Sequence, residues 1–215
     1  MRQHQSVRVE IVLDVICAAS YIAFVRLRRA MDRARAGGTE VRSVIRPFQL
    51  APGVDFHGEP LLDFLTRRFG EHVRPELDQA AADALRDGVV LDYGRAVAAG
   101  TFEAHRLIAS ADARGRGEAM TERLFRAHFT DGLDISDEGV LRELAAEVGV
   151  PANDASEEGL RLELTWVRER GVRAVPVFTF GGGAPMVGVR DESVYDGALA
   201  GETSRVGGPS GASGA

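Results

Sequence analysis

The chain has 215 residues, 45% of them hydrophobic, with 26 basic against 32 acidic side chains and a formal net charge of -6. That length and apolar content support a sizeable core in one or two domains, and the acidic balance argues against nucleic acid as a partner, since binding a phosphate backbone needs a concentrated basic face. A single cysteine excludes an internal disulfide framework, the complete absence of lysine excludes Schiff-base chemistry through a lysine side chain, and no run reaches the roughly 18 uncharged apolar residues of a membrane span.

The start, MRQHQSVRVE, passes directly into a charged strand and does not read as a signal peptide. A reducing cytoplasm is the expected location. Val9, Ile11 and Leu13 then alternate with Arg8, Glu10, Val12 and Asp14, which predicts a strand half or fully buried in a sheet. After Ile16 the apolar spacing becomes helical through Tyr21, Phe24, Leu27, Met31 and Ala34, and Gly37-Gly38 ends it.

Cys17 therefore falls at a strand-to-helix turn. The first N–H groups of a helix are unpaired and carry partial positive charge, which favours a thiolate. In such settings a cysteine pKa drops from about 8.5 to roughly 3.5–7.5, so Cys17 is expected to be a low-pKa nucleophile. Against this stands its use as a small buried hydrophobe, a common role for free cysteine.

Val41 to Pro47 predicts a second strand, giving a β-α-β opening with a parallel pair and a right-handed crossover. From Gly58 to Gly149 the pattern is helix after helix. Pro60 opens one that stops at Gly70, Pro75 opens a second ending near Gly88, and Thr101 can cap a third through Ala113. Glu118 to Phe129 is a fourth, stopped by Gly132, and Ser136-Asp137-Glu138 begins a fifth through Val148. Ser156-Glu157-Glu158 starts a further helix through Glu169. Val172 to Phe180 and Met186 to Val189 predict two strands joined by the Gly181–Pro185 turn, and Asp191 to Leu199 a closing helix. The expected organisation is a sheet domain from 1–52 and 151–201, a helical insertion over 53–150, and a Gly/Ser-rich tail over 202–215 without fixed structure.

With these elements in place the chain resembles the DsbA-type thioredoxin-fold proteins, in particular the FrnE-like branch of dithiol-disulfide isomerases. The resemblance runs from Val9 to Leu199. It is carried by DVICAASYIAF at Asp14–Phe24, PFQL at Pro47–Leu50, FEAHRLI at Phe102–Ile108, LFRAHFTDGLDISDEGVL at Leu124–Leu141 and GVRAVPVF at Gly171–Phe178. It implies an α/β thioredoxin fold with an inserted all-helical domain. It also implies a cis peptide at Pro176 facing the active-site turn, with the Val175 backbone presented to substrate and Ala18, Ala19, Tyr21 and His105 around the site.

Where the family carries C-P-W-C, this chain has Cys17-Ala18-Ala19-Ser20, so the resolving cysteine is replaced by Ser20. Resolution within the chain is then impossible, because a second thiolate must attack the mixed disulfide. Three readings stay open: a monothiol oxidoreductase using an external low-molecular-weight thiol such as glutathione; a thiol-dependent isomerase or transferase; and a non-catalytic binding or accessory protein. The second is suggested by kappa-class glutathione transferases and 2-hydroxychromene-2-carboxylate isomerases, whose D-V-x-S-P-Y-S-W is similar to Asp14–Tyr21 with Ser20 on the second serine. The partners implied are a small thiol or disulfide, or a protein disulfide, without nucleic acid or membrane; a homodimer is compatible. His105 and His128 are weighed as proton carriers or as packed helical residues. No metal-ligand spacing is present, and one cysteine cannot build a thiolate zinc site.

Overall fold

The structure, a computed structural model, describes residues 6–152 and 154–206. Strand β1 (Ser6–Leu13) leads into helix α1 (Ala18–Ala36) and strand β2 (Glu40–Pro47), as the apolar spacing predicts. Helices α2 (Leu61–Phe69), α3 (Val73–Ala84), α4 (Phe102–Asp112), α5 (Gly117–Arg126), α6 (Glu138–Val148) and α7 (Glu157–Glu169) follow. The chain closes with β3 (Val177–Phe180), β4 (Met186–Val187) and α8 (Glu192–Val206).

The sheet order is β2-β1-β3-β4, with β1 and β2 parallel and the β1/β3 and β3/β4 pairs antiparallel. This is a thioredoxin fold of the DsbA type. The two faces of β1 serve different layers. Val7, Val9, Ile11 and Leu13 join Phe24, Leu27 and Met31 of α1, Tyr195 and Leu199 of α8, and Leu107, Met120, Leu124, Phe125 and Leu141 of the middle helices in one contiguous core. Val12, on the other face, packs with Phe48, Val167 of α7 and Val177 in a smaller cluster. Side chains alternate across a strand, so this division follows directly from the period of two.

Polar contacts fix the helices around the sheet. Arg26 of α1 grips Asp87 through two bonds of 2.7 and 2.8 Å. Arg29 and Arg33 reach Glu192 and Asp196 of α8, and Arg35 reaches Glu118 of α5.

Several boundaries differ from the sequence expectation, for local reasons. The predicted strand over Val172–Phe180 begins only at Val177, because Val172–Pro176 forms the loop containing the cis Val175–Pro176 peptide, and Pro176 has no N–H to offer a ladder. Asp137, not Ser136, caps α6, accepting from the Val140 N–H at 2.9 Å. Thr101 stands at the start of α4 but makes no side-chain cap. The predicted Glu118–Phe129 helix is α5 followed by a wider π turn over Ala127–Asp131, ended by Gly132 at φ 70°. A β-carbon at Gly132 would stand 2.7 Å from the Arg95 carbonyl oxygen, so both conformation and space demand glycine there. Helix α8 runs through Val206, into the stretch expected to lack structure, and residues 207–215 lie outside the described residues.

Candidate active site at the start of the first helix

Register brings the site together. β1 and β3 are neighbours with Val12 opposite Val177, so the residues just past the end of β1 meet those just before β3. Asp14–Cys17 thereby reach Val175–Pro176 from far away in sequence.

The turn after β1 is closed by the Cys17 N–H donating to the Asp14 carbonyl at 3.0 Å, and Cys17 becomes the N-cap of α1 with extended backbone, φ -96° and ψ 109°. Its sulfur takes the place of the usual cap oxygen, accepting from the Ser20 N–H at 3.4 Å. On its other side the thiol donates to the Val175 carbonyl at 3.7 Å. Cys17, Ala18, Ala19 and Val175 are half-buried, whereas Pro176 is buried behind them. The cis peptide at Val175–Pro176 is present as the resemblance implies.

The expected low pKa is corrected by this geometry. Burial pushes the Cys17 thiol above its ordinary value, and the neighbouring Asp14 carboxylate adds to the rise; the Ser20 hydroxyl and the Ser20 and Ala19 amides favour the anion without reversing it. Desolvation opposes any charged form. Here it outweighs a single helix end.

Asp14 is fully buried at the end of an apolar strand, a place where a carboxylate needs partners. It accepts from the Leu50 N–H at 2.7 Å, and its other oxygen lies 3.3 Å from His105 Nε2. His105 Nε2 is also 2.8 Å from the Phe48 carbonyl. A carbonyl only accepts, so the proton sits on Nε2 and is shared between the two oxygens. Asp14 and His105 thus clamp the segment after β2 beneath the thiol. His105, expected beside substrate, is 2% exposed and holds the site from behind.

Tyr21 is likewise in the core, stacked on Phe125 with ring centroids 4.8 Å apart. Its aromatic bulk belongs to the α1–α5 contact. Ser20 is fully buried, with its hydroxyl near enough to the Cys17 sulfur to favour the anion but closing no hydrogen bond in this arrangement. His128 is fully buried too, edge-on to Phe129 at 4.5 Å, with both ring nitrogens unpartnered. Burial lowers its pKa to about 4 against the pull of Asp14 and Asp134, so it is neutral near pH 7 and cannot serve there as a charged proton carrier.

Two residues were not singled out by sequence reasoning. Asp14 had a legible signal, a carboxylate ending an apolar strand three residues before the cysteine. Tyr93 had none. Its phenol is raised to about 12, first by burial and then by the Cys17 anion, which places it within electrostatic range of the sulfur. Among the described residues no group of three or more His, Cys, Asp and Glu could hold a metal ion, and no helix is long and apolar enough to cross a membrane.

Chemically, the site offers one half-buried sulfur, one N–H directed at it and one carbonyl opposite, with a buried hydroxyl where a second thiol would stand. A cleft of about 620 Å³ on the sheet is not lined by Cys17.

Comparison with curated proteins finds no match. Among solved structures, a probable DsbA oxidoreductase from Streptomyces coelicolor is 28% identical, with 91% of this chain and 89% of that one covered at a TM-score of 0.79. The cytosolic disulfide reductase DsbM from Pseudomonas aeruginosa is 22% identical over 93% of this chain and 96% of that one, TM-score 0.57. A 2-hydroxychromene-2-carboxylate isomerase is 14% identical over 93% and 95%, TM-score 0.55. In the last two cases the likeness is one of fold. The sequence model of the DSBA-like thioredoxin domain matches residues 8–200, and the chain belongs to that thiol-disulfide oxidoreductase family.

Proposed function

We propose that this protein is a monothiol member of its family, of FrnE-like ancestry, that reduces disulfides with an external low-molecular-weight thiol such as glutathione. The observation that carries the reading is the Cys17 sulfur capping α1 at 3.7 Å from the Val175 carbonyl, in a chain with no other cysteine. The Cys17 thiolate attacks a substrate disulfide, forming a mixed disulfide and releasing one substrate thiolate. An external thiolate then attacks the mixed disulfide, restoring Cys17 and leaving the external thiol joined to the other half of the substrate. A second external thiol resolves that product, so two external thiols supply the two electrons.

The environment of the sulfur supports the reducing direction. Strong oxidants of this chemistry owe their potential to a stabilised reduced form, and burial together with Asp14 does the opposite at Cys17. A reducing compartment suits such a thiol. The open rim of Ala18, Ala19 and Val175 favours a disulfide presented by a larger substrate over one enclosed in a pocket.

The test is reduction of insulin or of a small mixed disulfide with and without added glutathione. Turnover is expected only with glutathione, and Cys17→Ser is expected to abolish it. Activity that persists unchanged without an external thiol, or in Cys17→Ser, defeats the proposal.

A further inference from the structure

The sheet is covered unequally. On one face α8 packs on β1 and β3 and α1 on β2, while on the other α7 packs against β2 and leaves a cleft of about 620 Å³ over β1, β3 and β4. Its floor is apolar at one end, with Val12, Val177 and Val187, the last 49% exposed, and Val172 at the side, and polar further along the strands at Glu10 and Thr179. Its walls are cationic, from Arg8, Arg46, Arg170 and Arg173, although the chain as a whole is acidic.

The acids do not neutralise these walls. Glu10, the one carboxylate lining the cleft, is shared between Arg8 at 3.9 Å and Arg46 at 3.5 Å. Arg46 also pairs with Glu163, and its buried Nε is the atom that faces Glu10, without closing a hydrogen bond to it. Arg170 and Arg173 have no carboxylate partner among the described residues; Arg170 lies 4.7 Å from the Trp166 ring centroid, and Arg173 donates only to the Arg168 carbonyl. Arg46 lies over the same indole at 5.0 Å. Guanidinium groups held on an aromatic ring beside an apolar floor are prearranged for a planar anion.

We infer that this cleft, which Cys17 does not line, is a second binding site for a small carboxylate with an apolar body: the tail lies on the valines and the carboxylate meets Arg170 and Arg173. The volume is that of an ordinary small-molecule site. The inference does not depend on the thiol chemistry.

Trp166 is the chain's single tryptophan, so its emission reports on this cleft alone. The full chain is titrated with hexanoate, with hexanol as the uncharged control. The expected result is a saturable change in emission with hexanoate, weakened roughly tenfold by Arg170→Gln or Arg173→Gln through the lost charge-assisted hydrogen bond. Added salt should weaken it further, and Cys17→Ser should leave it unchanged. Both arginines are exposed, so the variants keep the fold. No saturable response, equal binding of hexanol, undiminished binding in both arginine variants, or a change of sedimenting species with hexanoate would each overturn the inference.

Discussion

His128 gives a stability prediction whose size comes from the structure. In the unfolded chain an imidazole titrates near 6.5, whereas burial holds this one near 4 in the fold. Between those values the unfolded chain binds a proton that the folded chain refuses, so stability falls as pH drops through 6.5 and levels off below about 4. At about 1.36 kcal/mol per pH unit the full loss is roughly 3 kcal/mol, of which about 2 is gone by about pH 5. Both ring nitrogens are unpartnered, so His128→Leu removes a titration and two unsatisfied polar atoms together. Urea unfolding of both chains at about pH 7.5 and about pH 5 separates this from the carboxylates they share. The native chain should lose about 2 kcal/mol more than His128→Leu between the two conditions. Parallel losses in the two chains would refute the idea that a neutral, desolvated imidazole sits at this position.

Three further outcomes follow from the site. Asp14 raises the Cys17 pKa through its charge, so Asp14→Asn should lower the midpoint of Cys17 alkylation; an unchanged or higher midpoint contradicts the placement of that carboxylate. Ser20→Cys puts a second sulfur one turn along α1, and it should form an intramolecular disulfide with Cys17 on mild oxidation and confer dithiol exchange without added glutathione, both read by thiol counting and insulin reduction. Phe125 is fully buried between Tyr21 at 4.8 Å and Phe24 at 5.9 Å; Phe125→Ala should cost about 3–5 kcal/mol in urea unfolding, and a loss below about 1 kcal/mol would show that the α1–α5 contact is not a packed core.

The architecture was legible because its signals are periodic. Alternation in Val7–Leu13 and helical spacing from Ala18 to Ala34 mark β1 and α1, and Gly37, Gly70 and Gly132 end their elements where predicted. Residues at the turn were legible for the same reason, Cys17 by its place between two periods and Pro176 by the resemblance. What escaped was orientation and solvation. A helix start favours a thiolate, but the balance at Cys17 depends on how much protein surrounds the sulfur and on Asp14, whose burial comes from the neighbouring Phe48–Leu50 segment and from His105 on α4. Tyr21 and His105 lie near the site in sequence motif yet face inward, since the helix face they occupy is the one covered by Phe125 or turned toward Asp14. Tyr93 belongs to a connection between helices, where no period marks which side chains point at a remote sulfur.

A raised pKa slows Cys17 without silencing it, and the arithmetic of thiol exchange shows why. Below the pKa, each added unit removes about nine-tenths of the remaining thiolate, but the surviving anion gains nucleophilicity with a Brønsted coefficient of about 0.4–0.5. The two effects together leave a penalty of roughly threefold to fourfold per unit at fixed pH. The Ser20 N–H at 3.4 Å remains to steady the anion once formed. The expected signature is therefore an exchange rate that keeps rising with pH, about tenfold per unit, through the neutral range and past the ordinary cysteine value. Single-turnover exchange with a small disulfide measured from about pH 6 to about pH 10 reads this directly. A plateau reached below about pH 8 would mean a stabilised thiolate, and with it the loss of the argument that burial at Cys17 turns the site toward reduction.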